Sequence, residues 1–168
     1  MWIADALSNK VTQLEPETGQ RLSKRVGSAP SAIAFGQRGV WVANSHSKSV
    51  SRLGPRTGRV VARHIALGAQ PTAIAAGEGA VWAASLEKDR VYRIDPQTNE
   101  SVQTIEVGNA PVGIAAGEGG VWVANSLDRS IWRIDPKTNR VVQKIPVGNS
   151  PDGVVVADGR VWVTAHAP

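Results

Sequence analysis

Apolar and polar positions along this chain form short runs of five to seven residues, each bounded by Gly, Pro, Asn or Asp. No stretch settles into the 3.6-residue period of an amphipathic helix, so the elements it predicts are strands. The segment 71–108 shows the pattern. Thr72–Ala76 is an apolar run, Gly77-Glu78-Gly79 turns the chain into Ala80–Ala84, and a polar loop, Ser85–Asp89, leads to Arg90–Ile94. Asp95-Pro96-Gln97-Thr98-Asn99 is a further turn, with Pro pre-setting φ and Asn tolerant of the left-handed region, and Ser101–Val107 closes the unit. Four strands in about forty residues, joined by hairpin-length links, predict a small antiparallel meander.

That unit recurs. Trp2, Trp41, Trp82, Trp122 and Trp162 are 39, 41, 40 and 40 residues apart and open the stretches WIAD, WVAN, WAAS, WVAN and WVTA. Pro16, Pro55, Pro96 and Pro136 each follow a Trp by fourteen residues, and Pro30, Pro71, Pro111 and Pro151 each precede one by eleven. Three registers locked to one period identify a structural repeat. A lone four-stranded sheet leaves both faces wet, whereas sheets stacked radially bury them against each other, so the predicted fold is all-β, a β-propeller of four-stranded antiparallel blades. The first strand of each unit is small and apolar and is assigned to the crowded axis; the second carries the Trp that fills the wedge to the next blade. The third and fourth are more polar, with Arg52, Arg93 and Arg133 at one shared place. Trp41, Trp82 and Trp122 are expected at equivalent buried positions, and Trp132, outside the series, in a more exposed one.

The 168 residues read as a single repeat domain. Its parts are a partial blade at 1–27, blades at 28–67, 68–107 and 108–147, and a partial blade at 148–168. If Asp152–Val156 completes the N-terminal sheet, the ring closes with four blades in one chain or eight in two, and Val161–Thr164 competes with Trp2–Asp5 for one place. Otherwise the chain is an arc of a larger propeller.

The units Gly-x-x-Pro-x-x-Ile-Ala, Val-Trp-Val-Ala-Asn and Ile-Asp-Pro-x-Thr-Asn resemble the YVTN-type and NHL-like propeller repeats of bacteria, including those of the streptogramin lyase group. The resemblance implies the propeller fold over the whole chain. For function it implies a range of roles: cell-surface binding proteins, sensor domains attached to kinases or regulators, and a few enzymes. Streptogramin lyases use a histidine-based, metal-assisted site, and their functional positions find no residue-by-residue counterpart here.

Composition narrows this further. The absence of cysteine excludes a disulfide scaffold, thiolate metal sites and thiol catalysis, and leaves the compartment open. No apolar run reaches the length of a membrane span and no basic-then-apolar leader opens the chain, so a soluble protein without membrane insertion is expected. The net charge of +5 is concentrated in residues 1–64, where ten Lys and Arg meet three acids. Lacking interleaved aromatics or a groove-reading motif, this is a solvated face and not a nucleic-acid site. Gly77-Glu78-Gly79 and Gly117-Glu118-Gly119-Gly120 are hairpin turns without the following helix a phosphate cradle needs. No cofactor, metal or catalytic residue is assigned.

Candidate binding residues come from propeller geometry, in which the loops from strand four into the next strand one and from strand two to three share one face. The first set offers Gln70, Asn109, Asn149 and Asp152; the second offers Asn44, His46, Ser85, Glu87, Asn125 and Asp128. Such amides and acids suit a protein or a small polar ligand. Asn44 and Asn125 carry a competing expectation, since Asn at a strand end commonly bonds its own backbone. Of the histidines, His46 alone falls on this face, with His64 on an outer strand and His166 in a tail. The function expected is therefore a non-catalytic binding or interaction module within a larger bacterial sensor or surface protein, with a homodimer as one route to ring completion. The rival is a propeller enzyme of the streptogramin-lyase-like or hydrolase type with its site in the axial funnel.

Overall fold

The computed structural model describes Met1–His166, and among those residues there are seventeen β-strands and no helix. The first sheet is β1 (Trp2–Asp5), β2 (Lys10–Leu14) and β3 (Arg21–Arg25). The second is β4 (Pro30–Gly36), β5 (Gly39–Asn44), β6 (Ser49–Leu53) and β7 (Val60–Ala66). The third is β8 (Ala73–Gly77), β9 (Ala80–Ser85), β10 (Arg90–Asp95) and β11 (Glu100–Glu106). The fourth is β12 (Pro111–Gly117), β13 (Gly120–Asn125), β14 (Ser130–Asp135) and β15 (Arg140–Pro146). The fifth holds only β16 (Pro151–Ala157) and β17 (Arg160–Ala165). Every pairing is antiparallel and sequential, as in the blades of a propeller.

Turn chemistry fixes the meander. Between the first and second strands the two central residues both take positive φ: Gln37-Arg38, Glu78-Gly79, Glu118-Gly119 and Asp158-Gly159. That mirror-image turn matches the twist of the strands it joins. Between the third and fourth strands the chain reverses at a left-handed Gly19, Gly58, Asn99 or Asn139. The N–H of that residue donates to the carbonyl four residues back, on Glu15, Gly54, Asp95 or Asp135, at 2.8–2.9 Å.

The inner strands β4, β8, β12 and β16 lie side by side, as their small side chains predict. At the ends of β4, β8 and β12 stands a glycine. A Cβ on Gly36 would come within 2.9 Å of the Ala76 carbonyl oxygen, and one on Gly77 within 3.0 Å of the Ala116 carbonyl oxygen. Backbone cannot give way as a flexible side chain can, so glycine sets how closely successive blades approach.

Each second strand sends its Trp toward the following blade. Trp41 and Ala43 pack with Val81, Ala83, Tyr92 and Ile94; Trp82 and Ala84 pack with Val121, Val123 and Ile134. Both tryptophans are wholly buried. At roughly 25 cal/mol per Å² over about 200 Å² of side chain, each burial contributes on the order of 5 kcal/mol. The indole N–H of Trp41, Trp82, Trp122 and Trp162 donates to the carbonyl of Gly36, Gly77, Gly117 and Ala157, so where the ring is buried its donor is not left unmet. The shared arginines stack over these rings, Arg52 at 4.8 Å from Trp41, Arg93 at 5.6 Å from Trp82 and Arg133 at 5.4 Å from Trp122.

Two expectations are corrected. Closure of the ring within one chain does not occur: β16 pairs only with β17, β1–β3 form their own sheet, and the described residues make an open arc of blades. Trp2–Asp5 and Val161–Thr164 therefore do not compete for one place. Trp122 is half-buried where full burial was expected, because the fifth sheet that covers it has only two strands, and a cleft lined by Trp122, Ile131, Ile145, Val147, Val161 and Val163 remains beside it. Trp132 is half-buried as well; it packs against the core that contains Trp82, with the Lys144 ammonium 3.8 Å from its ring centre.

Candidate functional site

The loops joining second to third strands (residues 45–48, 86–89 and 126–129) lie against the loops that lead into each first strand (27–29, 68–70, 108–110 and 148–150). Together they form one face, polar except for the exposed Leu86 and Leu127. Hydrogen bonds between the two sets hold it. Ser28 N–H donates to Ser47 Oγ at 2.9 Å, and Gln70 N–H to Glu87 Oε2 at 3.4 Å. Asp128 accepts both the backbone N–H and the side-chain amide of Asn109, at 2.8 and 2.7 Å.

The expected residues divide into two groups. His46, Gln70, Glu87, Asn109, Asp128 and Asp152 are exposed on this face and Asn149 is half-buried beside them. Asn44, Ser85 and Asn125 are not presented at all: each is fully buried within its blade. The Asn44 amide donates to the Val42 carbonyl at 3.2 Å and to Ser51 Oγ at 3.0 Å, and the Asn125 amide donates to the Val123 carbonyl at 3.3 Å. Loop residues cover them, since a Cβ on Gly27 or Gly108 would collide with Asn44 or Asn125. These two asparagines bond their own backbone, the competing expectation stated for them.

Electrostatics across the face are mild. Glu87 lies 4.0 Å from Lys48 of the preceding blade and 3.7 Å from Lys88, all well exposed, so these pairs contribute little to stability. His46 has no hydrogen-bond or ion-pair partner among the described residues. His166, assigned to a tail by sequence, instead places Nε2 2.8 Å from Asp152 Oδ1, and its N–H donates to the Ser150 carbonyl. Among the described residues, no group of three or more His, Asp or Glu is arranged to hold a metal ion.

Sequence reading missed a second device. Asn9 Oδ1 accepts the N–H of Ala29, and Asp89 Oδ1 that of Ala110, each at 2.8 Å. Ala29 and Ala110 are thereby held at φ 52° and 54°. At the other two loops the positions equivalent to Asn9 and Asp89 are Lys48 and Arg129, which cannot accept, and the left-handed residue shifts to Gly68 and Gly148. The loop conformation thus alternates from blade to blade. The Asn-Lys-Asp-Arg succession at forty-residue spacing was its visible signal.

These features define a propeller blade array with one polar loop face. The family profile described as a domain of unknown function, DUF5074, matches residues 21–152, and the chain belongs to that family. Comparison with curated protein sequences gives no match. Among solved structures, a streptogramin B lyase superposes with a TM-score of 0.84 at 23% identity over 98% of this chain. A catalytically inactive virginiamycin B lyase from Staphylococcus aureus with quinupristin does so at 0.81 and 18% identity, also over 98% of this chain. Apo AztD from Citrobacter koseri gives 0.66 and 16% identity over 98% of this chain. This chain spans 58%, 59% and 53% of those proteins respectively. Likeness at these identities establishes the fold and not the activity.

Proposed function

We propose that the chain is a non-catalytic binding module, part of a larger bacterial sensor or surface protein, that holds a protein or a small polar ligand on its loop face. The observation that carries this reading is the bracing of that face. Asp128, Glu87 and Ser47 tie one loop set to the other, so Gln70, Asn109 and their neighbours stand on a platform that loses little further freedom when a ligand arrives. The test is an amide-resolved NMR titration with panels of short peptides and of oligosaccharides. A saturable shift confined to 45–48, 68–70, 86–89, 108–110 and 126–129 is the expected result. Shifts elsewhere, or none from either panel, count against it. Completion of the ring by a second copy is a further proposal, checked by the mass in solution.

The second reading is an enzyme of the streptogramin-lyase-like or hydrolase type. It is favoured by one contact, the imidazole of His166 at 2.8 Å from the Asp152 carboxylate at the loop face, because a histidine oriented by an acid is the minimum of a general acid–base pair. Incubating the protein with quinupristin and a divalent cation separates the two readings. Turnover abolished by His166→Ala establishes the enzyme, and no turnover is expected of the binding module.

A further inference from the structure

The face opposite the loops carries the turns between first and second strands. Where blades two and three meet there, a cavity of about 540 Å³ is lined by Gln37, Arg38, Arg52, Gly79, Pro96 and Gln97. The next junction around the arc shows what that geometry accommodates. There Glu78 Oε1 accepts the N–H of Gly119 at 3.2 Å, so a carboxylate from one blade caps the turn of the blade that follows. One junction earlier the residue equivalent to Glu78 is Gln37, the N–H equivalent to that of Gly119 belongs to Gly79, and no hydrogen bond joins the two.

At this junction a neutral amide stands in place of the carboxylate and a cation is added beside it. Arg38 occupies a turn position where the other repeats have Gly79, Gly119 and Gly159, and it does so at φ 58°, with Gln37 at 48°. A long side chain in the left-handed region is disfavoured, and Arg38 takes it where the other repeats use glycine. Arg52 adds a second guanidinium. Whereas Arg133 donates to the Gly119 carbonyl of its own blade at 3.1 Å, Arg52 reaches across the junction to the Pro96 carbonyl and to Asn99 Oδ1. No carboxylate lies within 4 Å of either Arg38 or Arg52 among the described residues. Burial holds the Arg52 guanidinium below its ordinary pKa.

We propose that this junction is a carboxylate-binding site, with the Gly79 N–H and the Arg38 and Arg52 guanidiniums receiving from outside the group that Glu78 supplies internally one junction on. The planar guanidinium fork and a backbone N–H suit a carboxylate, and charge-assisted hydrogen bonds of this kind are the strong ones. The carboxylate comes either from a small free acid or from an acidic side chain on a protein partner.

The experiment is an amide NMR titration of the whole chain with sodium acetate and, separately, with a glutamate-rich peptide, each against sodium chloride at matched ionic strength. A double variant, Gln37→Glu with Arg38→Gly, serves as control. It installs the Glu-Gly turn that two other blades already use, so it folds, and it brings its own carboxylate to the Gly79 N–H. A saturable shift of the Gly79 amide that is about tenfold or more weaker in the double variant is the expected result. Response to acetate identifies a small free acid as sufficient; response to the peptide alone identifies a protein-borne side chain. No response of Gly79 to either, or equal binding by the double variant, overturns the proposal.

Discussion

The middle of the arc and its C-terminal end use the same tryptophan in the same strand position, yet the two regions treat it differently. Trp41 and Trp82 each face a four-stranded blade and are wholly buried; Trp122 faces two strands and is half-buried; Trp162 faces none within the described residues and is 51% exposed. The indole hydrogen bond and the preceding valine are alike in all of them. Burial of these tryptophans therefore follows the neighbour that covers them, and a blade's stability depends on that neighbour. At the N-terminal end the blade's own strands matter as well. Trp2 faces a complete blade but is half-buried, since its own sheet lacks an inner strand and Gln13 stands where Arg52 stacks on Trp41.

Substituting one Trp at a time sharpens that comparison. Trp82→Ala opens a cavity at a closed junction and should lower the unfolding free energy by about 3–5 kcal/mol in chemical denaturation. Trp162→Ala, at an uncovered face, should shift it by about 0.5 kcal/mol or less. Equal losses at the two positions would break the comparison. Next in size is Gly77→Ala. A Cβ there meets the Ala116 carbonyl oxygen and Cβ at 3.0 Å, so the axial strands must part, at about 1–3 kcal/mol. The exposed equivalent at the C-terminal end is already alanine, Ala157, and Ala157→Gly should leave the denaturation midpoint nearly unchanged.

How much of this was legible beforehand follows from the length scale of each signal. The forty-residue spacing of Trp and Pro announced the blades, and the small residues of β4, β8, β12 and β16 announced the axis, because both are written in local sequence. Closure was not legible, since nothing in Asp152–Val156 says whether β1–β3 come within hydrogen-bonding distance. The site was half legible. His46, Gln70, Glu87, Asn109, Asp128 and Asp152 do lie on the loop face, whereas Asn44, Ser85 and Asn125 end their strands one residue too early and turn inward. The bracing role of Asn9 and Asp89 needed the partner loop to be seen, and so did the meeting of His166 with Asp152.

Smaller effects probe the loops. Asp89→Ala removes the acceptor of the Ala110 N–H and should cost about 1 kcal/mol, while Arg129→Ala, at the equivalent place in the next blade, should cost nothing measurable by the same denaturation assay. Carboxylates in the turns are where the contrast between interior and end should vanish. Ser8 Oγ donating at 2.6 Å holds Asp5 below the ordinary carboxylate range, and the Lys137 N–H donating at 2.8 Å does the same for Asp135. A carboxylate lowered on folding stabilises the protein above its unfolded pKa and loses that contribution as pH falls through its folded pKa. Asp5→Ala and Asp135→Ala should each flatten the acid limb of the pH–stability curve slightly and to a similar extent.

The most direct test of junction-controlled burial is fluorescence quenching by acrylamide in two variants, one retaining only Trp82 and the other only Trp162, with the remaining tryptophans changed to phenylalanine. Trp82 should emit at short wavelength and resist quenching, while Trp162 should emit near the wavelength of free indole and quench readily. A Trp162 as blue-shifted and protected as Trp82 in the monomeric chain would contradict the open arc, because the final blade face would then be covered.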